Sequence, residues 1–83
     1  MRVVVSSAAD RDVSRLSAEV ADRIFIVLRG FRENPRPAGC RLLRGRVARI
    51  WRVRVGDWRI LYDVDDAAGL VTILRILHRS KAY

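Results

Sequence analysis

Apolar residues recur with two different periods along this chain, and the change of period divides it. Arg2 to Ser6 reads as a short β-branched strand. Ser7-Ala8-Ala9-Asp10 has the form of a capping box, with Ser7 as N-cap and Asp10 at the third helical position. Ala9, Val13 and Leu16 follow at i, i+4 and i+7, which predicts a short first helix. Ser17 is a second N-cap signal, with Glu19 in the first turn behind it. Val20, Ile24, Val27, Leu28 and Phe31 then hold one helical face over three turns. That helix stops near Asn34-Pro35, because a proline disfavours helical geometry in the residue before it, and Pro35 to Gly39 reads as a loop.

From Cys40 the period becomes two. Cys40 to Leu43 is a short strand closed by Gly45, and Val47 to Val55 alternates, most clearly from Trp51. Gly56-Asp57 separates this run from Trp58 to Asp65 by the two residues of a tight hairpin, with glycine first as a type II′ turn prefers. Asp65 to Gly69 is a looser turn into Leu70 to Leu77. The predicted fold is α+β, a single domain over 1–83. An N-terminal strand and a two-helix hairpin pack on one face of an antiparallel sheet of four to five strands.

The hairpin register assigns faces. With the turn on Gly56-Asp57, Val55 pairs with Trp58, Arg54 with Arg59, Val53 with Ile60 and Arg52 with Leu61. Val47, Trp51, Val53, Val55, Trp58, Ile60, Tyr62 and Val64 then face the helices, and Arg52, Arg54, Arg59 and Leu61 face away. In the last strand the set Val71, Ile73, Arg75, Leu77 and Arg79 is expected on the outer face because it holds both arginines. Two guanidiniums directly across an antiparallel pair destabilise it unless an anion lies between them. Such a cluster suits a multivalent anion, phosphate first, through arginine's bidentate fork. The alternative at this point is that the arginines splay into solvent.

Composition narrows the classes. The chain has 83 residues, a formal net charge of +8 and 51% apolar residues, so one small folded domain is expected and a multi-domain nucleotide-dependent enzyme is excluded. Residues 1–33 carry six arginines and five acids, whereas 34–83 carry eleven basic groups and four acids; the basicity belongs to the second half. Val20 to Phe31 is interrupted by charges and is too short to span a membrane, and Met1 to Ser6 is too short for a signal-peptide core. A cytoplasmic protein without membrane attachment is expected. One cysteine, Cys40, and one histidine cannot supply a disulfide or the usual zinc ligand set. Asp63, Asp65 and Asp66 fit turn chemistry and arginine neutralisation better than a cation site, so neither metal nor cofactor is expected. Trp51, Trp58 and Tyr62 share the apolar parity and belong to the core.

The stretch Trp51-Arg-Val-Arg-Val-Gly-Asp-Trp-Arg-Ile-Leu-Tyr62, with the Asp-rich turn, the last strand and His78-Arg79-Ser80-Lys81-Ala82-Tyr83, resembles the RelE/ParE superfamily of type II toxin–antitoxin toxins. The resemblance covers nearly the whole chain. It implies a toxin silenced by a cognate small antitoxin whose acidic or amphipathic segments wrap it. In the RelE branch it further implies ribosome-dependent cleavage of mRNA, by attack of a nucleotide's own 2′-OH on the adjacent phosphate. By the same resemblance the site residues are Arg52 and Arg54 before the hairpin turn, Arg59 after it, Arg79 after the last strand, and Tyr83. His78 is a further candidate proton carrier by the intrinsic pKa of its imidazole, with a parity that points it toward the helices. The sequence departs from members that carry lysines at the positions of Arg52 and Arg54, and from those that pair a Glu with a His. An arginine cannot act as general base, so its role narrows to charge stabilisation. Two other readings stand beside this one: a ParE-like poison of DNA gyrase that binds without hydrolysis, and a homologue that has lost catalysis. Arg41, Arg44, Arg46 and Arg49 either extend a phosphate-tracking surface or form a solvated face.

Overall fold

A computed structural model of the protein describes residues 1–43 and 49–81. The elements are β1 (Arg2–Val5), α1 (Ser7–Ser14), α2 (Ala18–Gly30), β2 (Arg41–Leu43), β3 (Ile50–Val55), β4 (Trp58–Asp65) and β5 (Leu70–His78), followed by one 3-10 turn over Arg79–Lys81. The strands form one sheet in the order β1-β5-β4-β3-β2. The last four strands are antiparallel neighbours, as the pattern predicts. β1 joins β5 in parallel, from Arg2 opposite Leu70 to Val5 opposite Ile73, so the sheet is mixed. Parallel neighbours need a long crossover, and here both helices and three strands lie between them.

The first helix starts one residue earlier than the capping-box reading has it. Ser6, extended at φ −65° and ψ 162°, is the N-cap: its Oγ accepts from Ala9 N at 3.1 Å and donates to the Leu74 carbonyl at 3.0 Å. One hydroxyl thus ends β1, caps α1 and ties both to β5. Asp10 is thereby moved past the third helical position and the reciprocal box does not form. Ser17 does cap α2, accepting from Val20 N at 3.3 Å. The face foreseen for α2 is the buried one, with Ile24, Leu28 and Phe31 in the core and Val20 and Val27 packed at its margin. Full burial of each such side chain contributes roughly 1.5–3 kcal/mol.

From the sheet side the core receives Val53, Ile60, Tyr62, Val71, Ile73 and Ile76. The Phe31 and Tyr62 rings lie 4.4 Å apart between centroids, tilted by 31°. The Tyr62 hydroxyl donates to the Pro35 carbonyl at 2.8 Å, which fixes the loop that ends α2. That loop is held again by Arg36, which makes two hydrogen bonds to the Asp66 carboxylate and lies 5.1 Å over the Trp51 ring. Asp65 Oδ1 accepts from Ala68 N at 3.0 Å. The Asp-rich turn is thus occupied by turn chemistry and by arginine.

The hairpin register is the one derived from the Gly56-Asp57 spacing, from Val55 opposite Trp58 to Arg52 opposite Leu61. Gly56 sits at φ +60° while Asp57 does not enter the left-handed region, the pattern of a type II′ turn. A Cβ on Gly56 would also stand 2.6 Å from Nη2 of Arg23, which reaches the turn from α2.

The single-parity reading of β5 fails. Tyr62 pairs with Ile73 and Leu61 with Arg75, leaving Leu74 as an extra residue in a β-bulge. Val71 and Ile73, expected on the outer face, are fully buried in the core. After the bulge the alternation is inverted, so Ile76 and His78 face the helices while Arg75 and Leu77 face outward. Both parities of β5 carry apolar residues, so hydrophobicity alone could not register the slip.

Candidate functional site

The outer face of the sheet carries the arginines in rows. Arg54 stands opposite Arg59, with Leu77 on the far side of Arg59; Arg52 stands between Arg41 and Leu61, with Arg75 beyond Leu61. A two-residue hairpin makes Val55–Trp58 a hydrogen-bonded pair, so Arg54–Arg59 is a non-hydrogen-bonded pair with Cα atoms about 4.5 Å apart. Arg52, Arg54 and Arg59 are therefore brought together on one surface, as the register implies.

Their environments differ. Arg52 and Arg59 are half-buried, and Arg54 is exposed. The Nε of Arg52 is shielded from solvent and has no hydrogen-bond partner among the described residues. An unsatisfied charged donor of this kind favours any ligand that supplies an acceptor.

Arg79 lies one residue past β5, at the hairpin end of the sheet. Its backbone N donates to the Asp57 carbonyl at 2.8 Å, and its Nε is 3.9 Å from Asp57 Oδ1. Both side chains are about two-thirds exposed, so this ion pair leaves the guanidinium available.

His78 is on the other face. It pairs with Trp58, ring centroids 5.2 Å apart and edge-on at 82°. Its Nδ1 is 2.9 Å from Ser80 Oγ and accepts from Ser80 N at 3.3 Å, which puts the proton of the neutral ring on Nε2. Tyr83 lies outside the described residues, as do Arg44 and Arg46.

One ionic group was not singled out from the sequence. Asp12, buried on α1, accepts from Arg75 Nε at 2.8 Å, from Arg75 Nη2 at 3.1 Å and from Ile76 N at 2.9 Å. Burial alone would raise its pKa, but the Arg75 hydrogen bond, the Ile76 amide and the charges of Arg75 and Arg15 together hold the carboxyl below its ordinary value. Its signal in the sequence was position: Asp12 lies at i+3 from Ala9, inside the stripe that continues through Val13 and Leu16.

The arrangement can hold a polyanion against a surface of permanent positive charge and stabilise charge that builds up on it. Arg52, Arg54 and Arg59 supply charge and hydrogen-bond donors, and His78 lies at the same end of the sheet on its helix side.

Comparison with known proteins agrees with this architecture. Residues 3–83 match the family model of the ParE toxin of the type II toxin–antitoxin system parDE. The chain is 32% identical to Toxin RelE of Mycobacterium tuberculosis over 98% of its own length and 84% of that protein's. Among solved structures, it is similar to the RelBE2 toxin–antitoxin complex of M. tuberculosis, with TM-score 0.82, 28% identity and coverage of 94% and 96% of the two chains. It is also similar to the RelE–RelB complex of Pyrococcus horikoshii, with TM-score 0.84, 22% identity and coverage of 98% and 97%. With a family match over nearly its whole length, the chain belongs to the RelE/ParE family of toxins of type II toxin–antitoxin systems.

Proposed function

We propose that the protein is a ribosome-dependent endoribonuclease that cleaves translated mRNA, in the cytoplasm, through attack of a nucleotide's 2′-OH on the adjacent phosphate. The new bond is 2′-O to phosphorus; the bond to the leaving 5′-oxygen breaks, giving a cyclic phosphate and a free 5′-OH. The observation that carries this reading is the gathering of Arg52, Arg54 and Arg59 on one face of the sheet, where the Nε of Arg52 is shielded from solvent and has no hydrogen-bond partner among the described residues, a donor that a phosphate would satisfy. In this mechanism Arg52, Arg54 and Arg59 surround the scissile phosphate and Arg79 closes the site at the hairpin end. They stabilise the extra negative charge of the transition state without transferring a proton. Tyr83 orients the reacting nucleotide by stacking; His78, on the face of the sheet away from Arg52, Arg54 and Arg59, exchanges the 2′-OH proton only through water around the hairpin end of the sheet.

Cleavage of mRNA in a purified translation system, with 5′ ends mapped by primer extension, tests this. Site-specific cuts that need ribosomes are expected, with a loss of roughly 10²–10³ in rate for Arg59→Ala and for Arg79→Ala. Intact mRNA and undiminished protein synthesis would overturn the reading. A ParE-like gyrase poison is the second reading, favoured by a cluster built of arginines, none of which can act as a general base, and a supercoiling assay would then decide it.

The proposed silencing partner is a small antitoxin, and a groove of about 210 Å³ between β1 and α2 suits one of its segments. Val3, Val5, Phe25 and Leu28 form the apolar wall and Arg29 and Arg32 the rim. Phe25 is 41% exposed and Val5 37%, an apolar surface flanked by cations that fits an acidic amphipathic segment. The similar solved structures from M. tuberculosis and P. horikoshii are themselves toxin–antitoxin complexes.

A further inference from the structure

A second cleft opens on the helix side of the sheet, between α1 and the C-terminal end of β5. Its volume is about 250 Å³. Leu16 and Ile76 form an apolar floor, and Trp58 with His78 forms an aromatic wall. Arg15 and Lys81 stand around the rim, beside an Arg75 whose guanidinium is held by Asp12. Asp12 also borders the cleft, but its two oxygens already accept from Arg75 and Ile76 N, so it does not present a free anionic acceptor. The cleft therefore combines an aromatic wall, made by two rings set edge-on to each other, with a cationic rim. Apolar and aromatic surface takes the face of a nucleobase, and guanidinium with ammonium takes phosphate. The volume lies below the range of about 300–1,000 Å³ usual for small-molecule sites, which limits the occupant to a single nucleotide.

Its position relates it to the arginine face. Trp58 and Arg59 are adjacent on β4 and point to opposite faces; their partners on β5, His78 and Leu77, are adjacent too. Cleft and arginine cluster thus meet at one end of the β4–β5 pair, where Arg79 stands against Asp57. We infer that this cleft is a binding pocket for one nucleotide of single-stranded RNA, the neighbour of the phosphate held on the outer face. Its place in catalysis rests on the ribonuclease reading, but its occupancy by a nucleotide does not require the ribosome.

The two tryptophans make the test specific. In a Trp51→Phe background Trp58 is the only tryptophan, and its emission, excited at the red edge where nucleotides do not absorb, reports the cleft. Titration with uridine 5′-monophosphate is expected to quench it saturably. The double variant Arg15→Gln, Lys81→Gln, checked for native circular dichroism, is expected to weaken that binding by about tenfold. Arg59→Ala is expected to leave it unchanged. Three results would each overturn the inference: no saturable quenching, equal quenching by inorganic phosphate alone, or binding that depends on Arg59 and not on the double variant. Because the titration contains neither ribosomes nor mRNA, its failure would leave the cleavage assay standing, and intact mRNA in that assay would leave the titration standing.

Discussion

Arg59 stands across a non-hydrogen-bonded pair from Arg54 on the outer face of the sheet. Arg59→Thr removes the guanidinium and places a β-branched residue in the strand. On the ribonuclease reading, mRNA cleavage should fall by roughly 10²–10³ while stability in urea stays within about 1 kcal/mol of the parent; parental cleavage would take Arg59 out of the site. This juxtaposition was legible from residue spacing, because two turn residues fix which arginine meets which. Asp12 was not legible in the same way. An acid in a short amphipathic helix reads as a solvent-facing residue, and its partners Arg75 and Ile76 are 63 and 64 positions away in the chain.

Among the elements, α1 and β5 form a junction that takes over where β1 ends. β1 pairs with β5 as far as Ile73; Ser6 then bonds Leu74 O and Asp12 bonds Ile76 N, so the helix continues along the strand edge with side chains in place of a backbone ladder. Asp12→Ala would orphan the Ile76 amide, at a cost of about 1–3 kcal/mol, measurable as a drop in melting temperature. The pH dependence has a definite sign. The folded pKa of Asp12 lies below that of the unfolded chain, so its contribution is complete above the unfolded value of about 3.9 and is lost as pH falls through the folded value. Stability measured from pH 5 downward should fall less steeply for Asp12→Asn than for the parent. At the hairpin, Gly56→Ala would force a Cβ into the left-handed region and against Arg23, and should destabilise by about 1–2 kcal/mol in chemical denaturation. The turn was readable from its glycine. The bulge at Leu74 was not, since Leu70 to Leu77 is apolar on both parities and the slip is set by the pairing with β4.

For the molecule as a whole, a net charge of +8 makes association with RNA salt-dependent. Affinity for ribosomes should fall linearly in log–log form as salt rises, with a slope shallower by about one for Arg41→Ala, whose residue pairs with Arg52 on the outer face. The groove proposed for the antitoxin lies between β1 and α2, away from that face. Phe25→Glu should therefore weaken antitoxin binding in calorimetry while leaving mRNA cleavage at the parental rate; a parental affinity would remove the groove from the interface. At this scale the layer arrangement was readable from the change of period at Cys40. The parallel pairing of β1 was not, because no local pattern tells a strand which distant neighbour it will meet.

That pairing has a bearing on how such a toxin comes into being. β5 lies between β1 and β4, yet it follows every other strand and both helices in the order of synthesis. While it is still inside the ribosomal exit tunnel, β1 has no neighbour, Asp12 has no Arg75, and Val71, Ile73 and Ile76 are missing from the core. On the ribonuclease reading, a nascent chain interrupted before residue 70 lacks Arg79 and the strand that supports the arginine face, and cannot cleave mRNA. The toxin is thus harmless until its last strand emerges, and from that moment the groove proposed for the antitoxin is complete.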